Sequence, residues 1–305
     1  MNDLTFAVVV IAALCGLLVH LGYRIGILGG RWTICSEVAA GLAMAGYLIF
    51  VWDRPVLTRF LPTSALIVLG NWLPLWGSFF VGLALSEQSS SRIRRGILAS
   101  VAMVFVSWST IAPVSGDAPK CRSASSSQAL QFQTTPHTCS PACAASLLRL
   151  HGIEATEAEL TELCLTREGT HWMGVFRGLM LKTRDTAWTV AVEEFSSETI
   201  LAPHSEPAIL ALNFDTTLFL EDYEHGFQAD TGHSVVSMGT SGRNRVAIFD
   251  PSPDFGIEHW GDEMFRNVTD GVILRLVPRD PDSQQVLTVQ RRMLVERLHS
   301  GYAIR

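Results

Sequence analysis

The residues best suited to chemistry are a cysteine that opens an apolar helix, and a histidine and an aspartate that lie far downstream. Residues 133–143 read Gln133-Thr-Thr-Pro-His-Thr-Cys139-Ser-Pro-Ala-Cys143, a polar extended run ending at Cys139, from which an apolar helix begins. The first N–H groups of a helix have no intrahelical partner and carry partial positive charge, so a thiol beside them ionises more readily. A thiolate nucleophile then needs a base and a group to orient that base. Among nine histidines, His233 alone begins an alternating strand pattern (Gly232-His233-Ser-Val-Val-Ser-Met) that is followed by a second strand ending in Asp250-Pro251. An aspartate before proline is also a common turn former, a second reading for Asp250. Cys143 falls on the same helix face as Cys139, one turn on. It reads as core, because a helix interior offers no free amide to a developing oxyanion. Cys139, Cys143, His137 and His233 also make four potential metal ligands, but their spacing matches no zinc motif.

The elements that must position these groups follow in order. The helix opened by Cys139 should stop at His151-Gly152, where glycine takes the left-handed conformation. Residues 156–163 form a second helix with Thr156 as its cap, and a third runs over 173–182. Short runs rich in Val, Ile and Phe then predict strands at 187–192, 208–213, 234–239, 245–250 and 271–276. Helices first and strands later make an α+β unit with the chemistry at the junction of two layers. After Pro278, residues 283–298 have helical spacing.

The first third of the chain is different. Mean hydropathy is +0.26 with only 17% charged residues, and the apolar excess lies in four runs, residues 4–23, 33–52, 65–85 and 97–114. Crossing a bilayer takes about 20 helical residues, so four membrane helices are expected. Trp32, Trp52 and Trp108 lie near their ends. A cleaved signal peptide fits the first run poorly, since no Lys or Arg precedes it. Asn71 and Pro74 interrupt the third run, within the tolerance of a helix bundle. Arg24, Arg31, Arg92, Arg94 and Arg95 fall in the first and third connections, against Arg54, Arg59, Lys120 and Arg122 on the other side. That asymmetry turns both termini outward, to the periplasm or exterior. The expected division is a membrane domain over 1–114, a polar linker over 115–127, a soluble domain over 128–280 and a helical tail over 281–305.

The order Gln133, Cys139, His233, Asp250 resembles the papain-like peptidases of family C39, the leader-peptide-cleaving domains of bacteriocin exporters. The resemblance covers about residues 128–278. Cys139, Pro141 and Ala142 fit that family's Cys-Gly-Pro-Ala helix start, with Ser140 standing where glycine is usual. It implies a papain-like fold, Cys139 as nucleophile, His233 as base, Asp250 as the residue orienting it, and Gln133, six positions before the cysteine, as oxyanion donor. It also implies a peptide substrate cut after a small-residue pair such as Gly-Gly. The exporters join this domain to a six-helix transporter and an ATPase, and no nucleotide-binding signature accompanies it here.

The reading is a membrane-anchored cysteine peptidase that needs no cofactor or metal, has a peptide or protein as substrate and the lipid bilayer as its other partner. From residue 115 onward 16 Lys and Arg face 25 Asp and Glu, a balance that disfavours nucleic acid. Two other readings use the same residues: a peptide-binding domain without catalysis, and an amidase or acyltransferase. A disulfide involving Cys121, Cys143 or Cys164 stays open, since the six cysteines define no framework.

Overall fold

The computed structural model describes residues 3–86, 91–122, 129–202, 206–214, 232–240 and 244–280. Contacts divide the chain into two units, Met1–Gly116 and Asp117–Arg305. The expected tail helix over 283–298 lies outside the described residues, as do 123–128 of the linker.

The first unit is helical: α1 (Asp3–Leu28), α2 (Gly30–Phe50), α3 (Val56–Phe60), α4 (Leu66–Leu69), α5 (Leu73–Ser86) and α6 (Arg92–Ile111). Among the described residues, three stretches are long and apolar enough to cross a membrane: Asp3–Leu28, Gly30–Phe50 and Leu66–Ser86. In the first two, many large side chains face outward, Leu17 being 66% exposed and Leu42 69%, as lipid-facing residues would be. The expected fourth run over 97–114 falls in α6 and is not among these three. Its helix begins earlier, in the arginine cluster, and ends at Ile111, where a 3₁₀ turn with Pro113 in its first positions takes over. Proline lacks the N–H that continues a helix, so the helix gives way there to the turn.

α1 and α5 meet through glycine. A Cβ on Gly22 would stand 2.3 Å from the Phe79 carbonyl oxygen, and one on Gly82 would stand 2.2 Å from that of Val19. Small residues let two backbones approach where apolar burial gives helices no reason to associate. The break between α4 and α5 is closed by side chains. Tyr47 Oη donates to Gly70 O at 2.6 Å and accepts from Trp72 N–H at 3.1 Å, while Asn71 Nδ2 donates to Ser109 O at 2.8 Å. Asn71 thus satisfies backbone in a place without water.

The second unit opens with α7 (Cys139–Leu150), α8 (Glu157–Leu163) and α9 (Trp172–Lys182). α7 stops as its sequence requires. Gly152 takes φ 74°, its N–H donates to Arg149 O at 3.0 Å, and Ile153 N–H donates to Leu148 O at 2.9 Å, the two bonds of a Schellman ending. Thr156 Oγ1 accepts from Glu159 N–H at 3.2 Å to cap α8.

Among the described residues, six antiparallel strands follow in spatial order β1-β6-β2-β3-β4-β5. They are β1 (Trp188–Glu194), β2 (Ala208–Phe214), β3 (His233–Thr240), β4 (Arg245–Asp250), β5 (Gly256–Gly261) and β6 (Val268–Pro278), with α10 (Ser197–Leu201) and α11 (Asp262–Phe265) between them. Five strands are expected from the sequence. The unexpected one, β5, reads Gly-Ile-Glu-His-Trp-Gly and pairs with β4 alone. An edge strand this polar carries too little apolar alternation to announce itself. Leu210, Val235, Ile248 and Ile273 pack on one face of the sheet with Ile200 of α10 and Phe265 of α11. By alternation, the buried Ile209, Val236 and Leu274 point to the opposite face. There α7 reaches β3, with Ser140 Oγ 2.8 Å from Ser234 Oγ. The unit is α+β.

Candidate active site

Antiparallel pairing carries His233, first residue of β3, and Asp250, last residue of β4, to the same end of the sheet. Their side chains meet. His233 Nε2 lies 2.8 Å from Asp250 Oδ2, the two side chains 16% and 4% exposed. The other carboxylate oxygen, Oδ1, accepts from Ser252 N–H at 2.8 Å. One carboxylate oxygen thus bonds within the turn and the other meets the ring.

Cys139 and His233 are close enough that each shifts the other's ionisation through a side-chain hydrogen bond and charge. Cys139 is half-buried, at the first position of α7, and Thr138 gives that helix no side-chain cap. Thr138 Oγ1 instead donates to Thr135 O at 3.0 Å. Pro141 has no N–H and Ala142 N–H already donates to Thr138 O at 3.0 Å, so only Cys139 and Ser140 contribute N–H groups ahead of the helix's own ladder, where a forming anion is favoured.

The electrostatics follow. Burial by itself pushes the Cys139 thiol up, but the hydrogen bond and charge of His233, with smaller help from Ser234 and Ser140, bring it below its ordinary value. Burial likewise works against the imidazolium, yet the hydrogen bonds to Asp250 and Cys139 and the charge of both raise His233 to about 10. Each partner favours the charged form of the other.

Gln133 comes to the same corner by its backbone, whose N–H donates to Pro251 O at 2.8 Å, one residue past Asp250. Its side-chain oxygen is buried and has no partner among the described residues. Ser140, the departure from the glycine of the resembling family, is buried with its hydroxyl turned to Ser234.

Cys143 lies apart from this chemistry. It is fully buried, its Sγ donates to Ser234 O at 3.2 Å, and burial, then the charges of Cys139 and Asp250, raise its pKa well above that of an ordinary thiol. Burial also pushes Cys164 up, to about 12. All six cysteines are free. His137 is exposed, and among the described residues no three His, Cys, Asp or Glu side chains converge as metal ligands.

Two contributors escape a sequence reading. Ser146 Oγ accepts from Gln131 N–H at 2.8 Å, and Glu157 Oε1 accepts from Thr134 N–H at 2.7 Å. Glu157 looks like an ordinary acid in a helix first turn, and only its 3% exposure marks it out.

No family profile matches the chain, and no curated protein matches it. Among solved structures, the peptidase domain of Streptococcus ComA, a bi-functional ABC transporter involved in a quorum-sensing pathway, is 22% identical. The likeness covers 49% of this chain and 98% of that one, with a TM-score of 0.38. The peptidase domain of Streptococcus mutans ComA is 21% identical over 50% of this chain and 100% of that one, with a TM-score of 0.33. A double glycine motif protease from an AMS/PCAT transporter, in complex with the leader peptide, is 20% identical over 54% of this chain and 96% of that one, with a TM-score of 0.34. Over about half its length the chain resembles double-glycine peptidase domains in structure.

Proposed function

We propose that this chain is a membrane-anchored cysteine peptidase in which Cys139 is the nucleophile, His233 the general acid and base, Asp250 the residue that orients and charges the ring, and Gln133 an oxyanion donor. The observation that carries it is the position of His233, bonded at one nitrogen to Asp250 and hydrogen-bonded to Cys139. The thiolate attacks the substrate carbonyl carbon, and the oxygen takes up negative charge beside the first N–H groups of α7 and the Gln133 amide. The C–N bond then breaks, the His233 imidazolium passes its proton to the departing amine, and a thioester remains on Cys139. Water, deprotonated by His233, attacks the thioester and frees the thiol.

A peptide substrate accords with the leader peptide bound to the similar AMS/PCAT protease, and a Gly-Gly-like cleavage site with the double glycine motif named for it. The test is a fluorogenic peptide ending in Gly-Gly-aminomethylcoumarin: wild-type turnover together with none in Cys139→Ala is the expected result. Turnover retained in Cys139→Ala would overturn the assignment.

The same reading makes α6 a fourth crossing, anchored in the cytoplasm by Arg92, Arg94 and Arg95. Its exposed Ile97, Val101, Val104 and Trp108 and the bond from Arg95 Nη1 to Leu85 O at 3.3 Å, where α5 ends, support this. An even number of crossings puts the peptidase domain outside, facing secreted or cell-surface peptides. Reporter fusions at Gly96 and Gly116 test it: an export-dependent enzyme is expected to be active only at Gly116, and activity only at Gly96 would invert the topology.

A further inference from the structure

The segment that carries Gln133 belongs to no helix or strand, so its backbone must be fixed by other groups. Four contacts fix it. Gln131 N–H donates to Ser146 Oγ at 2.8 Å, Phe132 sets its ring edge to face against Phe249 with centroids 5.2 Å apart, Gln133 N–H donates to Pro251 O at 2.8 Å, and Thr134 N–H donates to Glu157 Oε1 at 2.7 Å. The first three reach α7 and the end of β4, which themselves carry Cys139 and Asp250. The fourth reaches α8, which contributes no group to the site described above.

Glu157 is an expensive way to hold one N–H. Glu157 is 3% exposed and its Oε2 is buried with no hydrogen-bond partner among the described residues, whereas a neutral acceptor would avoid the cost of burying charge. α8 has no need of it. The helix is capped by Thr156, and Thr161 Oγ1 donates to the Glu157 backbone carbonyl at 2.8 Å. What the carboxylate adds is a charge-assisted bond, stronger than a neutral one, to the residue next to Gln133. A second brace comes from the connector: Arg122 N–H donates to Thr134 Oγ1 at 3.1 Å, and Cys121 Sγ lies 3.2 Å from Thr161 Oγ1.

We infer that Glu157 is a positioning residue for the oxyanion side of the site, holding Thr134 so that the Gln133 side chain leaves the backbone toward the reacting carbonyl. The inference rests on the proposed peptidase mechanism. A displacement of about 1 Å in such a donor costs on the order of 10-fold or more in rate while leaving the thiolate untouched.

Two reactions of the full-length protein in detergent separate these effects. Cleavage of the Gly-Gly-aminomethylcoumarin peptide passes through an oxyanion, whereas alkylation of Cys139 by iodoacetamide needs the thiolate alone. Glu157→Ala is expected to lower kcat about 10-fold, with KM changed less than about 2-fold and the alkylation rate unchanged. Glu157→Gln, which keeps an acceptor for Thr134 N–H, should restore most of the rate. In a Gln133→Ala background Glu157→Ala should add no further loss, because the two act through one group. If Glu157→Ala does not fold, Glu157→Asp, whose shorter side chain withdraws the acceptor, is read in its place. Wild-type cleavage by the variant, parallel loss of cleavage and alkylation, or losses that multiply with Gln133→Ala would each overturn the inference while leaving the peptidase reading intact. A wild-type Cys139 that iodoacetamide does not alkylate faster than Cys143 would overturn that reading and the inference with it.

Discussion

Cys139 and Cys143 stand on consecutive turns of α7 and both lie against Ser234 of β3, but their thiols are shifted in opposite directions. Both are penalised by burial, so burial is not what separates them. One turn of helix changes what else each sulfur meets. Cys139 has the open end of the helix and a histidine whose positive charge Asp250 sustains. Cys143 has its helix N–H groups already paired, donates to a carbonyl, and feels the negative charges of Cys139 and Asp250. Reactivity here is a property of position on the element, and the same residue type four places on becomes packing.

Substitutions at the two positions should exaggerate that contrast. Cys139→Ala should remove peptide hydrolysis altogether, a loss of about 10⁴-fold or more, while Cys143→Ala keeps it; initial rates on the coumarin peptide measure both. Gln133→Ala should lower kcat by about 10²- to 10³-fold with little change in KM, because an oxyanion donor acts on charge that exists only after attack. A change confined to KM would move Gln133 to substrate binding. Asp250→Asn keeps a hydrogen bond to the ring but removes the charge that raises His233, and should cost roughly 10- to 10²-fold. The sign is set by the pair: His233 at about 10 falls, so the alkaline limb of the pH–rate profile moves to lower pH. Chelators should leave all these rates unchanged, and inhibition reversed by added zinc would revive the metal reading. The smallest effect belongs to the inert thiol. Cys143→Ala should cost about 1 to 2 kcal/mol in stability for the atom removed from a filled core, read by thermal unfolding.

Much of this contrast is visible in the residues themselves, and the reason is locality. A cysteine after a polar run, a glycine one helical stretch later and a threonine before Glu157 each act within a turn of their own position, so the limits of α7 and α8 are readable. His233 and Asp250 are readable because each sits at a strand end beside Gly232 or Pro251. The burial of Glu157 is not, since it depends on the Gln133 segment, 23 residues away along the chain, packing over α8. β5 is missed because Glu258 and His259 break its alternation while pairing with β4 supplies the structure. The end of the fourth apolar run differs from the expected one for a local reason: Pro113 stands within its last residues, and α6 ends at Ile111.

The most direct test of the account is the pH dependence of iodoacetamide alkylation at Cys139 and Cys143 in the same wild-type chain, followed by mass spectrometry of the two peptides. The account predicts that Cys139 reaches half its limiting rate at a pH below the ordinary thiol value of 9.0, that His233→Ala moves this midpoint upward, and that Cys143 stays unreactive throughout. A Cys139 midpoint at or above 9.0, insensitive to His233, or equal rates at the two sulfurs, would contradict it.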